Sequence, residues 1–148
     1  MIERGAHVLA LRVYWEDTDA AGMVYYANYL KYAERARSDL LRVAGIDQRA
    51  LLADPDGGVV FAVRHCDIDY LKPAVLDDDL EVHTTLAEIA GASIRVAQVV
   101  RRGALDLVRA RIRLACLNRA GRPRRIPPAV RHGLCILPFK TEDFSDGQ

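Results

Sequence analysis

The spacing of apolar positions changes once, early in the chain, and that change divides it. From His7 to Trp15 the residues are rich in Val, Leu and aromatics and predict a strand. From about Ala27 the period becomes helical. Tyr25, Tyr29, Tyr32, Ala33, Ala36, Leu40, Val43 and Ala44 recur at steps of three and four, forming one apolar stripe. Lys31, Glu34, Arg35, Arg37, Asp39 and Arg42 fall mostly on the other face. Gly45 predicts a left-handed stop at the C-terminal end.

Beyond this one long helix, Asp47 to Leu52 predicts a short extra turn, and Asp54-Pro55-Asp56-Gly57-Gly58 is loop chemistry. Four strand-like runs follow, at 59–71, 80–89, 93–102 and 105–117. In the last of them Val108, Ala110, Ile112, Leu114 and Cys116 alternate with Arg109, Arg111 and Arg113, as in a sheet with one buried and one wet face. The short connections make the last strands an antiparallel meander. Residues 118–128 predict a turn region, 128–133 a last helical turn, and 139–148 a frayed tail. The fold class is therefore α+β: a five-stranded sheet curled around a helix whose apolar face only that sheet can cover. At least one edge strand is left for oligomerisation to cover. No repeat or linker interrupts the pattern, so one domain over residues 1–148 is expected.

Composition works here by exclusion. At 51% hydrophobic and 28% charged, with a net charge of +1, the chain gives no reason to expect a nucleic-acid partner. No run approaches the roughly 20 apolar residues of a membrane span. The N-terminus shows no signal-peptide core followed by a cleavage site. Cys66, Cys116 and Cys135 form no CxxC pair, and fit reduced, buried thiols better than a disulfide framework or zinc site. A cytoplasmic protein is expected.

The candidate chemistry lies between strand and helix, in Glu16-Asp17-Thr18-Asp19-Ala20-Ala21-Gly22. The Asp19 carboxylate could attack a thioester carbonyl or activate water against it. Its neighbours Glu16 and Asp17, and burial against tyrosines, would raise its pKa. Asp in such a turn also serves as an N-cap or Asx-turn former, and that reading stays open. Gly22 would let the backbone approach a carbonyl, with free N–H groups of a helix start as oxyanion donors. It could equally just make the turn. Tyr25, Tyr29 and Tyr32 follow the apolar stripe as core or interface residues, whereas Tyr26 lies off it and faces a site.

Other reactive residues carry less. His65 and His83 have no partner at metal-ligand spacing. Ser93 is not in a GxSxG elbow, and no nucleotide-binding fingerprint is present. The arginines of the C-terminal half read as the solvated face of the sheet, with a few available for phosphates of a ligand such as coenzyme A.

The run from Trp15 to Tyr29, WEDTDAAGMVYYANY, resembles the signature of the 4-hydroxybenzoyl-CoA thioesterase family of hot-dog-fold proteins. Tyr32-Ala33-Glu34-Arg35-Ala36-Arg37 and Tyr70-Leu71-Lys72-Pro73-Ala74 resemble its YbgC branch, the tol-pal system-associated acyl-CoA thioesterases. Together these cover roughly residues 8 to 130. The resemblance implies a helix wrapped by a five-stranded antiparallel sheet, and homodimers or dimer-of-dimers homotetramers with sites at subunit interfaces. It places the catalytic carboxylate on Asp19 and the oxyanion donor on the Tyr26 backbone N–H. It implies hydrolysis of a small or medium acyl-CoA without a cofactor, coenzyme A being part of the substrate, and a link to the tol-pal envelope system.

One departure stands out: the YbgC branch commonly has His where this chain has Tyr26, and the 4-hydroxybenzoyl-CoA enzymes have Tyr. A backbone donor does not depend on that side chain. A different class of reading also stays open, a non-catalytic acyl-CoA-binding or envelope-complex scaffold module. A hydratase of the same fold fits less well, because no Asp and His pair stands at the spacing such enzymes use.

Overall fold

In the computed structural model, which describes residues 1–3 and 5–137, the long helix (α1) runs from Asn28 to Val43 and buries Tyr29, Tyr32, Ala33, Ala36 and Leu40. It ends as its sequence predicts. Gly45 takes φ +78° and donates its N–H to the Arg42 carbonyl at 3.0 Å. Tyr25 precedes the helix and is exposed, so the stripe begins one turn later than its spacing suggests.

The sheet has strands β1 (Ile2–Glu3), β2 (Ala6–Arg12), β3 (Val60–Tyr70), β4 (Asp79–Ile89), β5 (Ser93–Arg102) and β6 (Leu105–Leu117). They lie in the order β1-β2-β4-β5-β6-β3, every neighbouring pair antiparallel. Five of these match the expected runs, and the sixth is the two-residue β1 hairpinned onto β2. The last three strands form the meander. β3 instead crosses to the far edge and pairs with β6.

The first strand stops earlier than expected, at Arg12. The cause is local: the Asp17 carboxylate takes the Tyr14 N–H at 2.8 Å, and Trp15–Asp17 closes as a single 3-10 turn. A side chain that bonds its own backbone competes with the sheet ladder, and here it ends the strand. Two short helices complete the chain, α2 (Gln48–Leu52) and α3 (Pro128–Cys135). The expected frayed tail at 139–148 lies outside the described residues.

The apolar core falls into two clusters along α1. Tyr29, Tyr32, Val82 and Leu107 pack under its N-terminal half, and Leu40, Ile112, Leu114 and Leu134 under its C-terminal half. Between them Gln98 of β5 is buried on the inner face of the sheet. Its Nε2 donates to the Ala33 carbonyl and to Thr84 Oγ1, both at 2.9 Å, and its Oε1 accepts from Arg37 Nη1 at 2.9 Å. Arg37, expected on the wet face of the helix, is thus drawn inward. Asp39 is also partly covered, because its Oδ2 sits 2.7 Å from Nε2 of the fully buried His7. The cysteines divide: Cys116 is buried and Cys66 partly so, whereas Cys135 is exposed, against the expectation of three buried thiols. β3 is left as a long edge, with Val63 and Tyr70 about half exposed.

Candidate active site

The segment between β2 and α1 is a small hairpin bound to the rest of the molecule at several points. Thr18 bridges Val24, the Asp19 N–H donates to the Met23 carbonyl at 2.7 Å, and the Gly22 N–H returns to the Asp19 carbonyl at 3.1 Å. Gly22 sits at φ +76°, a conformation that costs most side chains energy. A second loop, 71–78, clamps the hairpin from one side. The Val24 N–H bonds the Ala74 carbonyl at 2.9 Å, and the Leu76 N–H bonds the Gly22 carbonyl at 3.1 Å. The Tyr29 hydroxyl accepts the Ala74 N–H at 3.0 Å, tying that clamp to the helix.

Asp17 and Asp19, two positions apart, have opposite environments. Asp17 is buried and structural: its carboxylate holds Tyr14, while its carbonyl takes the Tyr25 N–H at 3.0 Å and Asn28 Nδ2 at 2.8 Å. The Tyr32 phenol beside it is pushed up in pKa, first by burial and then by the Asp17 charge, so it stays protonated. Asp19 is exposed at the hairpin tip. Its Oδ1 accepts the Ala21 N–H at 2.8 Å and the Met23 N–H at 3.3 Å, while Oδ2 has no partner among the described residues. The Asx-turn reading of Asp19 is therefore right as local structure, and the same turn aims a fixed carboxylate at solvent. Burial of Asp19 against tyrosines is not found within the chain, because Tyr29 and Tyr32 are taken into the core.

The helix start is also further along than expected. Asn28 opens α1, Ala27 is its N-cap, and Tyr26 stands just outside. The Gly22 N–H is occupied within the hairpin, so Gly22 makes the turn. The Tyr26 N–H meets no acceptor among the described residues, at the positive end of the helix dipole. The Tyr26 carbonyl is held by the Tyr70 hydroxyl at 3.0 Å, and the Tyr26 ring makes an edge contact with that of Tyr70 at 6.2 Å. Tyr70, Ala74 and Asn28 carry no reactive-motif signal. Their place here comes from contacts up to 45 residues apart in the chain, although Tyr70–Ala74 does mark the branch resemblance. Around the loop Tyr14, Trp15, Tyr25 and Tyr26 form an exposed aromatic surface, with Trp15 75% exposed.

Among the described residues no group of three or more His, Cys, Asp and Glu side chains is placed to hold a metal ion. Of the arginines considered for phosphate contacts, Arg101 and Arg109 share the Asp106 carboxylate and Arg102 pairs with Asp78 at 2.6 Å.

An antiparallel sheet curled round one long helix, with an acidic hairpin leading into that helix, defines a hot-dog-fold protein. The family model described as the thioesterase-like superfamily matches residues 13–134. The chain is 43% identical over 108 residues to the acyl-CoA thioesterase YbgC of Haemophilus influenzae, covering 73% of this chain and 78% of that protein. It is 38% identical over 122 residues to the acyl-CoA thioester hydrolase YbgC of Escherichia coli O6:H1, covering 81% and 89%. The crystal structure of a probable thioesterase from Bartonella henselae superposes with TM-score 0.79 at 37% identity, over 82% of this chain and 99% of that one. This chain belongs to the thioesterase-like superfamily and, within it, to the YbgC-like branch.

Proposed function

We propose that this protein is an acyl-CoA thioesterase, hydrolysing the thioester to a free acid and coenzyme A with Asp19 as its carboxylate. The observation that carries the reading is the hairpin itself. Asp19 is fixed by two backbone amides through one oxygen, while its other oxygen and the Tyr26 N–H remain unpartnered among the described residues. A carbonyl oxygen at the Tyr26 N–H would sit at the positive helix end, where negative charge developing in the transition state is stabilised. Asp19 then acts in one of two ways. It attacks the carbonyl carbon and expels the thiolate, giving an anhydride that water cleaves, or it removes a proton from the water that attacks directly. Either route ends with one acid, one thiol and one water consumed.

Tyr70 holds the Tyr26 carbonyl and so fixes the plane of the Tyr25–Tyr26 peptide only indirectly, through the same residue. The exposed aromatic surface and the β3 edge are the parts a second copy would cover, as a homodimer or a homotetramer built from two dimers. Action in the cytoplasm and a link to the tol-pal system belong to the same proposal through the branch.

The test is release of free thiol from a panel of aliphatic and aromatic acyl-CoAs. Turnover on at least one member supports hydrolysis. Binding across the panel with no thiol released overturns it in favour of a non-catalytic module.

A further inference from the structure

A cavity of about 790 Å³ opens beside α1, and it is a different space from the Asp19 hairpin. Its floor is the inner face of the sheet, where Ile112 lies opposite Cys66 toward one end, and Leu41, Leu114 and Leu134 line it toward the other. Every lining residue contributed by the sheet and α3 is apolar, and the polar ones come from α1 and α2 alone. The hollow opens to solvent beside the exposed Leu30, Leu52 and Val63, and its volume is inside the range of ligand sites. Its apolar floor offers few of the two to four partners a trapped water needs.

Its position relates it to the hairpin. Leu30 lines it one helical turn beyond Tyr26. Cys66 lines it from β3, and Tyr70, further along the same face of that strand, holds the Tyr26 carbonyl. A chain attached to a carbonyl at the Tyr26 N–H therefore has its entry at Leu30 and Cys66. From Leu30 to Leu41 the helix advances about 16 Å. An extended alkyl chain advances roughly 1.3 Å per carbon, so on the order of twelve carbons span that length.

The geometry points to this cavity as the acyl pocket, selecting a linear aliphatic chain of about twelve carbons over short or aromatic acyl groups. An aromatic acyl group would fill the mouth and leave the apolar far end empty. The inference rests on the thioesterase reading for the placement of the carbonyl, and its test separates the two.

Two measurements are made on the wild-type protein. The first is kcat/KM on straight-chain acyl-CoAs from butyryl to hexadecanoyl, with benzoyl-CoA alongside. The second is calorimetric affinity for S-butyl-CoA and S-dodecyl-CoA, thioethers that cannot be hydrolysed. Burial of each added methylene raises both quantities by up to about fourfold, levelling near twelve carbons. Val63→Phe, on the inner face of β3 opposite Leu114, and Leu41→Phe each place a ring in the cavity, and each lowers the dodecyl-to-butyl affinity ratio at least tenfold. Two variants are used so that one poorly folded protein does not decide the result.

Equal affinity for the two thioethers, or ratios unmoved in both folded variants, overturns the pocket. That outcome would arise if a second copy of the chain filled the space. Steep chain-length dependence of binding with no hydrolysis of any thioester leaves the pocket standing and overturns the thioesterase reading instead.

Discussion

Gln98→Leu is expected to destabilise the protein by about 3–5 kcal/mol, on a change that leaves side-chain volume nearly constant. The figure comes from the contacts that Gln98 makes at the centre of the fold. Two neutral hydrogen bonds are lost, to the Ala33 carbonyl and Thr84 Oγ1. Each is worth about 1 kcal/mol net, and one to a charged donor such as Arg37 about 1.5–3 kcal/mol. The Arg37 guanidinium then stays largely buried without that acceptor; burial already lowers its pKa, which marks how poorly it is solvated. Urea unfolding at one fixed protein concentration measures the loss, since any oligomer makes stability concentration-dependent. Arg37→Met added to Gln98→Leu removes the stranded charge and recovers at least about 1 kcal/mol, because an apolar replacement of a buried polar pair is far cheaper than breaking it. A Gln98→Leu protein within about 1 kcal/mol of wild type would refute the claim that this side chain pins the helix to the sheet.

Two further outcomes follow from single residues. His7 is held below its ordinary pKa by burial, which outweighs the opposing hydrogen bond to Asp39, while the N-terminal ammonium adds to the lowering. The fold therefore keeps His7 neutral, and its contribution is complete above about pH 6.5 and lost as pH falls through the lowered folded value. Stability measured from pH 7 to 5 falls with pH, and His7→Gln makes that slope shallower; an unchanged slope would refute the assignment. Gly22 has open space where a Cβ would stand, so only its φ of +76° resists substitution. Gly22→Ala is expected to cost about 1–2 kcal/mol, and Gly22→Asn, which tolerates that region, less; thermal unfolding showing equal losses would point to a steric cause instead.

What could be read from the chain was set by how local each cause is. The α1 stripe from Tyr29 to Leu40, the Gly45 stop and the alternation in β6 have causes within a few residues and appear where expected, whereas Tyr25 and Val43 at the ends of the stripe are exposed. The early end of β2 depends on one side chain, Asp17, capturing the Tyr14 amide, and strand periodicity carries no sign of it. The inward turn of Arg37 depends on Gln98, 61 residues away, so helical spacing alone assigns it to solvent. At the site, residue type marked Asp19 but left turn-former and reactive carboxylate as rivals. In the hairpin one oxygen serves the turn and the other has no partner among the described residues, so the turn and a reactive role are compatible. That the Tyr26 amide, which has no acceptor among the described residues, is the donor was legible only through family resemblance, since a main-chain donor leaves no trace in side-chain chemistry.

Asp19→Asn separates the chemistry of the carboxylate from its part in the turn. Asn keeps an oxygen to accept the Ala21 N–H, which Asp19 takes at 2.8 Å, so the hairpin survives while the carboxylate is lost. With circular dichroism and oligomeric state unchanged, kcat/KM on the best acyl-CoA should fall by at least on the order of 10²–10³, the scale on which removing one preorganised group slows acyl transfer. Turnover near the wild-type rate in that folded variant would contradict the mechanism.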